Sequence, residues 1–127
     1  MIAGCCMLLD SNIVIYAAQP AHSSLRQFIS SHASTVSAVT YVEVLGFHRL
    51  SLADRRSFEA FFSAARILPI DQPVLDRAVS LRQQRRMSLG DALIAGTALV
   101  HGLTVVTHNT DDYSWIGGLS LHDPLTP

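Results

Sequence analysis

A chain of 127 residues is one domain's worth of polypeptide. Hydrophobic residues make up 49% and charged residues 15%, a balance that supports a packed core and excludes a disordered chain. The formal net charge of −1 excludes a global basic field for capturing nucleic acid, so any such contact has to come from a local patch.

Near the start, Ile2-Ala3-Gly4-Cys5 superficially matches a lipoprotein cleavage box, but no basic segment and no full apolar stretch precede it. Adjacent cysteines rarely form an unstrained disulfide, and no further Cys or His at ligand spacing accompanies them. Cys5 and Cys6 therefore read as small hydrophobes in a reducing cytoplasm. Cys6 to Leu9 is an apolar run that predicts a strand, turning at Asp10 and Asn12. Ile13 to Ala18 predicts a short helix that ends near Pro20. Leu25, Phe28 and Ile29 have helical spacing within a helix over Ser24 to His32. A second strand follows over Thr35 to Ala38, then helices over Thr40 to Leu50 and Leu52 to Ala65. Phe58, Phe61 and Phe62 fall on one side of the latter.

Arg66 to Ile70 predicts a third strand. Pro73 to Arg85 is a helix with proline in its first turn. Ser88 to His101 is a long apolar helix stopped by Gly102. Leu103 to Thr107 is a strand, Asn109 to Tyr113 a polar loop, and Gly117-Gly118 lead to a last strand at Leu119 to His122. Strands alternating with helices imply an α/β fold with a mainly parallel sheet and right-handed crossovers. The longest weakly polar run, Ala92 to Val106, is shorter than the ~20 residues of a spanning helix, so a soluble protein without a membrane anchor is expected.

Three acids stand in similar places. Asp10 sits in Leu-Leu-Asp-Ser-Asn-Ile, Glu43 in Tyr-Val-Glu-Val-Leu-Gly, and Asp91 in Ser-Leu-Gly-Asp-Ala-Leu. Carboxylates in apolar surroundings need a partner or a metal. Each also has a plain helix-capping reading. Thr40-x-x-Glu43 fits a capping box, Ser88-x-x-Asp91 fits a shorter-armed one, and Asp10 can cap the helix after it. Placement argues for more. Asp10 ends a strand, where open α/β sheets hold their ligands, and Glu43 follows the second strand closely. Asp91 follows a helix, and pattern alone does not bring it to the same edge. All-oxygen ligands suit Mg²⁺ or Mn²⁺, which activate water for in-line attack on phosphate.

Four segments carry a family resemblance. Leu8-Leu9-Asp10-Ser11-Asn12-Ile13-Val14-Ile15-Tyr16 resembles the opening motif of PIN domains. Thr40-Tyr41-Val42-Glu43-Val44-Leu45 and Gly90-Asp91-Ala92-Leu93-Ile94-Ala95 resemble the second and third. Val105 to Tyr113, with Thr107-His108-Asn109-Thr110-Asp111-Asp112, resembles the last. The order matches the family and spans nearly the whole chain, 1–127 reading as a single PIN-like domain. The resemblance is closest to VapC toxins of type II toxin–antitoxin pairs. It implies a three-layer α/β/α fold, Mg²⁺ or Mn²⁺, RNA cleavage, a homodimer and a small antitoxin that blocks the site. Carried over, Asp10, Glu43 and Asp91 form an acidic core that holds metal, and Glu43 also orients the attacking water. Asn109 stands where many members have a fourth acid, which puts a second metal in doubt. Asp112, three residues on, shapes the loop or adds outer charge. Ser11 and Thr107 are polar supports.

His108 reads as a solvent-facing loop histidine. All nine basic residues are arginines; Arg82, Arg85 and Arg86 are candidates for phosphate contacts, with a solvated helix end an equal reading. Phe58, Phe61 and Phe62 read first as core, and as a partner or dimer face where exposed. Haloacid-dehalogenase-like phosphatases need a second Asp at the Asn12 position and a lysine, and receiver domains need the lysine too. A catalytically inactive PIN-like module that binds RNA or protein, its acids serving as caps, is the remaining alternative.

Overall fold

Five strands run parallel in one sheet: β1 (Met7–Leu9), β2 (Thr35–Ser37), β3 (Arg66–Leu68), β4 (Thr104–Val106) and β5 (Ser120–His122), in the order β3-β2-β1-β4-β5. The computed structural model describes residues 6–32 and 34–125, so Cys5 and the Ile2–Gly4 segment lie outside the described residues. Parallel strands are covered on both faces, and the pleat sends alternate residues to opposite sides. Leu9, Val36 and Val106 face a core built with α1 (Ser11–Ala17), α2 (Ser23–Ser31), α3 (Ala38–Leu45) and α4 (Leu52–Ala64). Leu8, Leu68 and Val105 face the opposite core, shared with α5 (Gln72–Gln84) and α6 (Leu89–His101). The result is three layers, as the sequence implies.

The helices begin and end where capping chemistry dictates. Ser51, Asp71 and Ser88 each accept a backbone N–H from the first turn of α4, α5 and α6. Gly102, at φ 67°, closes α6 in the left-handed conformation that favours glycine. α6 is buried from Ala92 to Ala98 and packs closely on α5; a methyl at Gly96 would stand 3.1 Å from the Val74 carbonyl oxygen.

Two sequence expectations give way. The second-motif helix starts at Ala38, capped by Ser37, which accepts the Val39 N–H at 3.2 Å. Thr40 is therefore buried inside α3 and makes no capping box with Glu43. The same helix stops at Leu45 rather than Leu50, because Gly46 turns its N–H onto the Val42 carbonyl at 2.8 Å and the chain then leaves the helix. Phe58 and Phe62 are buried and belong to the core, while Phe61 is partly buried and, with Phe58, Val14 and Ile29, lines an open apolar cleft of about 480 Å³. Among the described residues, no helix is long and apolar enough to cross a membrane.

From β1 the chain proceeds outward through β2 and β3, then crosses to β4 and β5 on the other side. Connections diverge between β1 and β4, and the carboxyl ends there form the crevice in which such sheets bind ligands. Asp10 follows β1 and Thr107 follows β4 at that point.

Candidate active site

Asp10 is anchored on three sides. Its N–H donates to the Val106 carbonyl at 3.0 Å. Its Oδ1 accepts the Asn12 N–H at 3.3 Å, so it does cap α1. Its Oδ2 accepts the Thr107 hydroxyl at 2.7 Å. With 4% of its surface exposed, Asp10 is desolvated, which raises its carboxyl above the ordinary range. The Thr107 and Asn12 hydrogen bonds counter this, while the charges of Asp91 and Glu43 push it further up. The cap and the shared acidic site are thus roles of one residue.

Glu43 reaches the same place from α3. Ser11 Oγ donates to Glu43 Oε1 at 2.6 Å and lies 3.0 Å from Thr40 Oγ1. The single Ser11 proton goes to the carboxylate, so the Thr40 hydroxyl donates to Ser11 in turn. A methyl at Gly90 would collide with the Glu43 carboxylate, so the first turn of α6 sits directly against it. The next residue is Asp91, whose N–H donates to Ser88 Oγ at 3.1 Å and whose Oδ1 accepts the Tyr113 hydroxyl at 3.1 Å. Burial raises the Asp91 carboxyl, the Tyr113 and Ser88 hydrogen bonds lower it, and the Asp112 charge raises it again. Tyr113 is 1% exposed; burial and the charges of Asp10, Asp91 and Asp112 push its phenol well above the usual value, so it remains a donor.

The structure therefore brings Asp10, Glu43 and Asp91 together, with Asp112 close enough for its charge to be felt. Asp112 itself is exposed in a short 3₁₀ turn, and its carbonyl accepts the Trp115 indole N–H at 3.1 Å. Asn109 joins the site by its backbone, donating its N–H to Thr107 Oγ1 at 3.0 Å and accepting the Asp112 N–H at 3.1 Å. His108 turns to Asp123, 3.1 Å away, as befits a surface loop histidine. Arg82 Nε donates to the Met87 carbonyl, and the Arg85 guanidinium lies 5.4 Å over the Trp115 ring.

The ion pairs among the described residues are Arg55–Glu59 and His108–Asp123, so neither arginine nor histidine neutralises Asp10, Glu43 or Asp91. No group of three acidic, histidine or cysteine side chains among the described residues stands at ligand spacing; the carboxylates rest on Thr107, Ser11 and Tyr113 hydroxyls instead. The donor set is all oxygen and carries uncompensated like charge, which suits a hard divalent cation and no thiolate- or imidazole-seeking metal.

Sequence reasoning passed over Tyr113, Gly90 and Thr40 as site residues. Tyr113 and Gly90 both lie inside the quoted motifs, but their partners are 22 and 47 residues away in sequence, where pattern carries no signal. For Thr40 the signal misled, because its spacing to Glu43 imitates a cap.

The PIN domain family model matches residues 7–116. A curated relative, the tRNA(fMet)-specific endonuclease VapC of Shigella flexneri, is 30% identical over 126 residues, covering 91% of this chain and 96% of that protein. Among solved structures, a toxin–antitoxin complex from Klebsiella pneumoniae contains a chain 27% identical, with TM-score 0.76 and coverage of 95% of this chain and 99% of that one. DNA-bound VapBC from Salmonella typhimurium matches with TM-score 0.80 at 25% identity, over 93% and 97% of the two chains.

Proposed function

The chain belongs to the PIN domain family, and on that premise we propose that it is a metal-dependent ribonuclease of the VapC type, the toxin of a type II toxin–antitoxin pair. The observation that carries the reading is the convergence of Asp10, Glu43 and Asp91 within electrostatic reach of one another beyond the carboxyl ends of β1 and β4, each carboxylate fixed by a hydroxyl. Asp10, Glu43 and Asp91 would hold Mg²⁺ or Mn²⁺, which when bound neutralises their charge and acidifies water.

The protein's own part is positioning. Thr107 and the Asn12 N–H fix Asp10; Tyr113 fixes Asp91. Ser11 holds one oxygen of Glu43, and the other is left to orient the attacking water and accept its proton. Hydrolysis then joins the water oxygen to phosphorus, breaks one phosphoester bond and protonates the departing oxygen. Asn109 and Asp112 border the site through the loop after β4.

The Shigella relative is named for tRNA(fMet), so transfer RNA is the first substrate class to test. The Klebsiella and Salmonella neighbours are toxin–antitoxin assemblies, and this chain's expected partner is likewise a small antitoxin, with a homodimer and a cytoplasmic setting. The test is cleavage of defined RNAs, tRNA(fMet) included, by antitoxin-free protein in Mg²⁺, Mn²⁺ and EDTA. Cleavage is expected only with metal, and Asp10→Asn and Glu43→Gln should each abolish it and relieve growth arrest on expression. Full cleavage by either folded variant would sink the assignment.

A further inference from the structure

Beside Asp91 the surface opens into a cleft of about 310 Å³ whose walls include Arg85, Arg86, Asp111, Asp112 and Trp115. We propose that this cleft is the subsite for a single-stranded nucleotide flanking the scissile phosphate, a base resting on the Arg85–Trp115 platform and Arg86 taking a phosphate. The proposal rests on the ribonuclease reading above and extends it by placing the substrate strand.

Three features point to a nucleotide. The Trp115 indole is held in a fixed orientation, its N–H committed to the Asp112 carbonyl at 3.1 Å, and the Arg85 guanidinium lies 5.4 Å from its ring centroid. Flat indole and guanidinium surfaces are what unstacked bases pack against, and such stacking tolerates any base. Neither Arg85 nor Arg86 is tied into an ion pair among the described residues, although three aspartates share the cleft. Their charge is available to phosphate, which arginine binds through paired N–H groups. The aspartates supply acceptors for base amino groups and 2′-hydroxyls. An acidic peptide would meet the same arginines through its carboxylates, but those carboxylates present no planar ring to stack on the indole. Arg82 stands apart, bonded to the Met87 carbonyl. With a net charge of −1 on the chain and three aspartates in the same cleft, the two arginines serve as local phosphate contacts rather than as a long-range field.

Trp115 is the sole tryptophan, so its emission reports on this cleft alone. The full chain carrying Asp10→Asn, which leaves RNA intact, is titrated with a mixed-sequence single-stranded oligoribonucleotide and, separately, with inorganic tripolyphosphate. The oligonucleotide should quench Trp115, and tripolyphosphate should compete for the arginines without quenching. Adding Arg86→Gln should weaken RNA binding and flatten the log–log salt slope by about 0.7, one phosphate contact on a single strand. Adding Trp115→Leu should weaken binding, followed by anisotropy of a labelled strand, on the order of tenfold. Arg86 is exposed, so its variant keeps the test valid if Trp115→Leu misfolds. RNA binding without quenching, or at unchanged affinity and salt slope in Arg86→Gln, overturns the subsite while wild-type cleavage still upholds the ribonuclease. Absence of both RNA binding and cleavage overturns the two together.

Discussion

The Tyr113 hydroxyl and the Asp91 carboxylate meet at 3.1 Å, the phenol arriving from the loop after β4 and the acid from the first turn of α6. Because its phenol is held protonated by burial and by the surrounding carboxylates, Tyr113 always donates. It is a positioning residue, fixing which Asp91 oxygen faces the site. Tyr113→Phe keeps the buried ring and removes only the donor. The expected result is a well-folded protein with Mn²⁺ affinity lowered on the order of tenfold, the usual effect of losing an outer hydrogen bond on a metal ligand. Calorimetric Mn²⁺ titration measures it; identical affinity in the two proteins would assign Tyr113 to packing alone.

Gly90 and Glu43 make a second prediction. A methyl at Gly90 collides with the Glu43 carboxylate, which is the far end of a flexible side chain and can move. Folding should therefore tolerate Gly90→Ala, with alanine in the helix adding about 0.4–1 kcal/mol from the unfolded state. The displaced carboxylate loses its Ser11 hydrogen bond, and RNA cleavage should fall on the order of tenfold or more. Thermal melting and cleavage assays on the same preparation separate the two effects. Wild-type cleavage in Gly90→Ala would show that the Glu43 position is not critical.

Burial of Asp10 sets a pH dependence. Its folded carboxyl is raised above the unfolded value of 3.8, first by desolvation and further by Asp91 and Glu43. An acid with a raised pKa costs stability while ionised, and that cost is relieved as pH falls through the folded value toward the unfolded one. The Asp91 carboxyl shifts in the same direction. In EDTA, lowering the pH from neutrality toward the unfolded carboxyl value of 3.8 should thus gain the wild type more than it gains Asp10→Asn, which has no proton to take up there. Parallel melts of the two proteins across that range give the difference. An equal response in both would mean that Asp10 carries no strain from its burial.

How much of this was legible before the structure follows from the range of each signal. The strands and helices were readable because periodicity and caps act over a few residues; Ser88, Gly102 and Pro73 mark their elements in both readings. The approach of Asp91 was not readable. It depends on α6 crossing under the sheet so that Gly90 abuts Glu43 on α3, a contact across 47 residues. The start of α3 was misread for a related reason. Ser37 and Thr40 are both cap residues by type, and the choice was made by β2 ending at Ser37 and by Ser11 engaging the Thr40 hydroxyl. The apolar phenylalanine stripe of α4 could be read as core or as interface; the structure puts Phe58 and Phe62 in the core and leaves Phe61 partly exposed at a cleft, a split that helical spacing alone does not reveal.

The acidic role of Asp91 itself can be separated from its role in helix α6. Ser88 is the capping residue and receives the Asp91 N–H, so the cap survives in Asp91→Asn. Asparagine has nearly the same shape, and its side-chain oxygen still accepts from Tyr113. What disappears is the charge. If that charge served only the helix dipole, the variant would lose on the order of 0.3–1 kcal/mol, with or without metal. In an acidic metal site the outcome reverses. The Asp91 carboxyl is raised by desolvation, with the Asp112 charge adding to it, so the metal-free wild type bears a cost that asparagine removes. The variant should therefore melt at or above the wild type in EDTA. Mn²⁺ stabilises whichever folded protein binds it, in proportion to the logarithm of its concentration over Kd. Asp91→Asn should accordingly show little or no upward shift with Mn²⁺ and should cut no RNA. Melting curves in EDTA and in graded Mn²⁺ decide the matter, and a variant that gains as much from Mn²⁺ as the wild type removes Asp91 from the metal site.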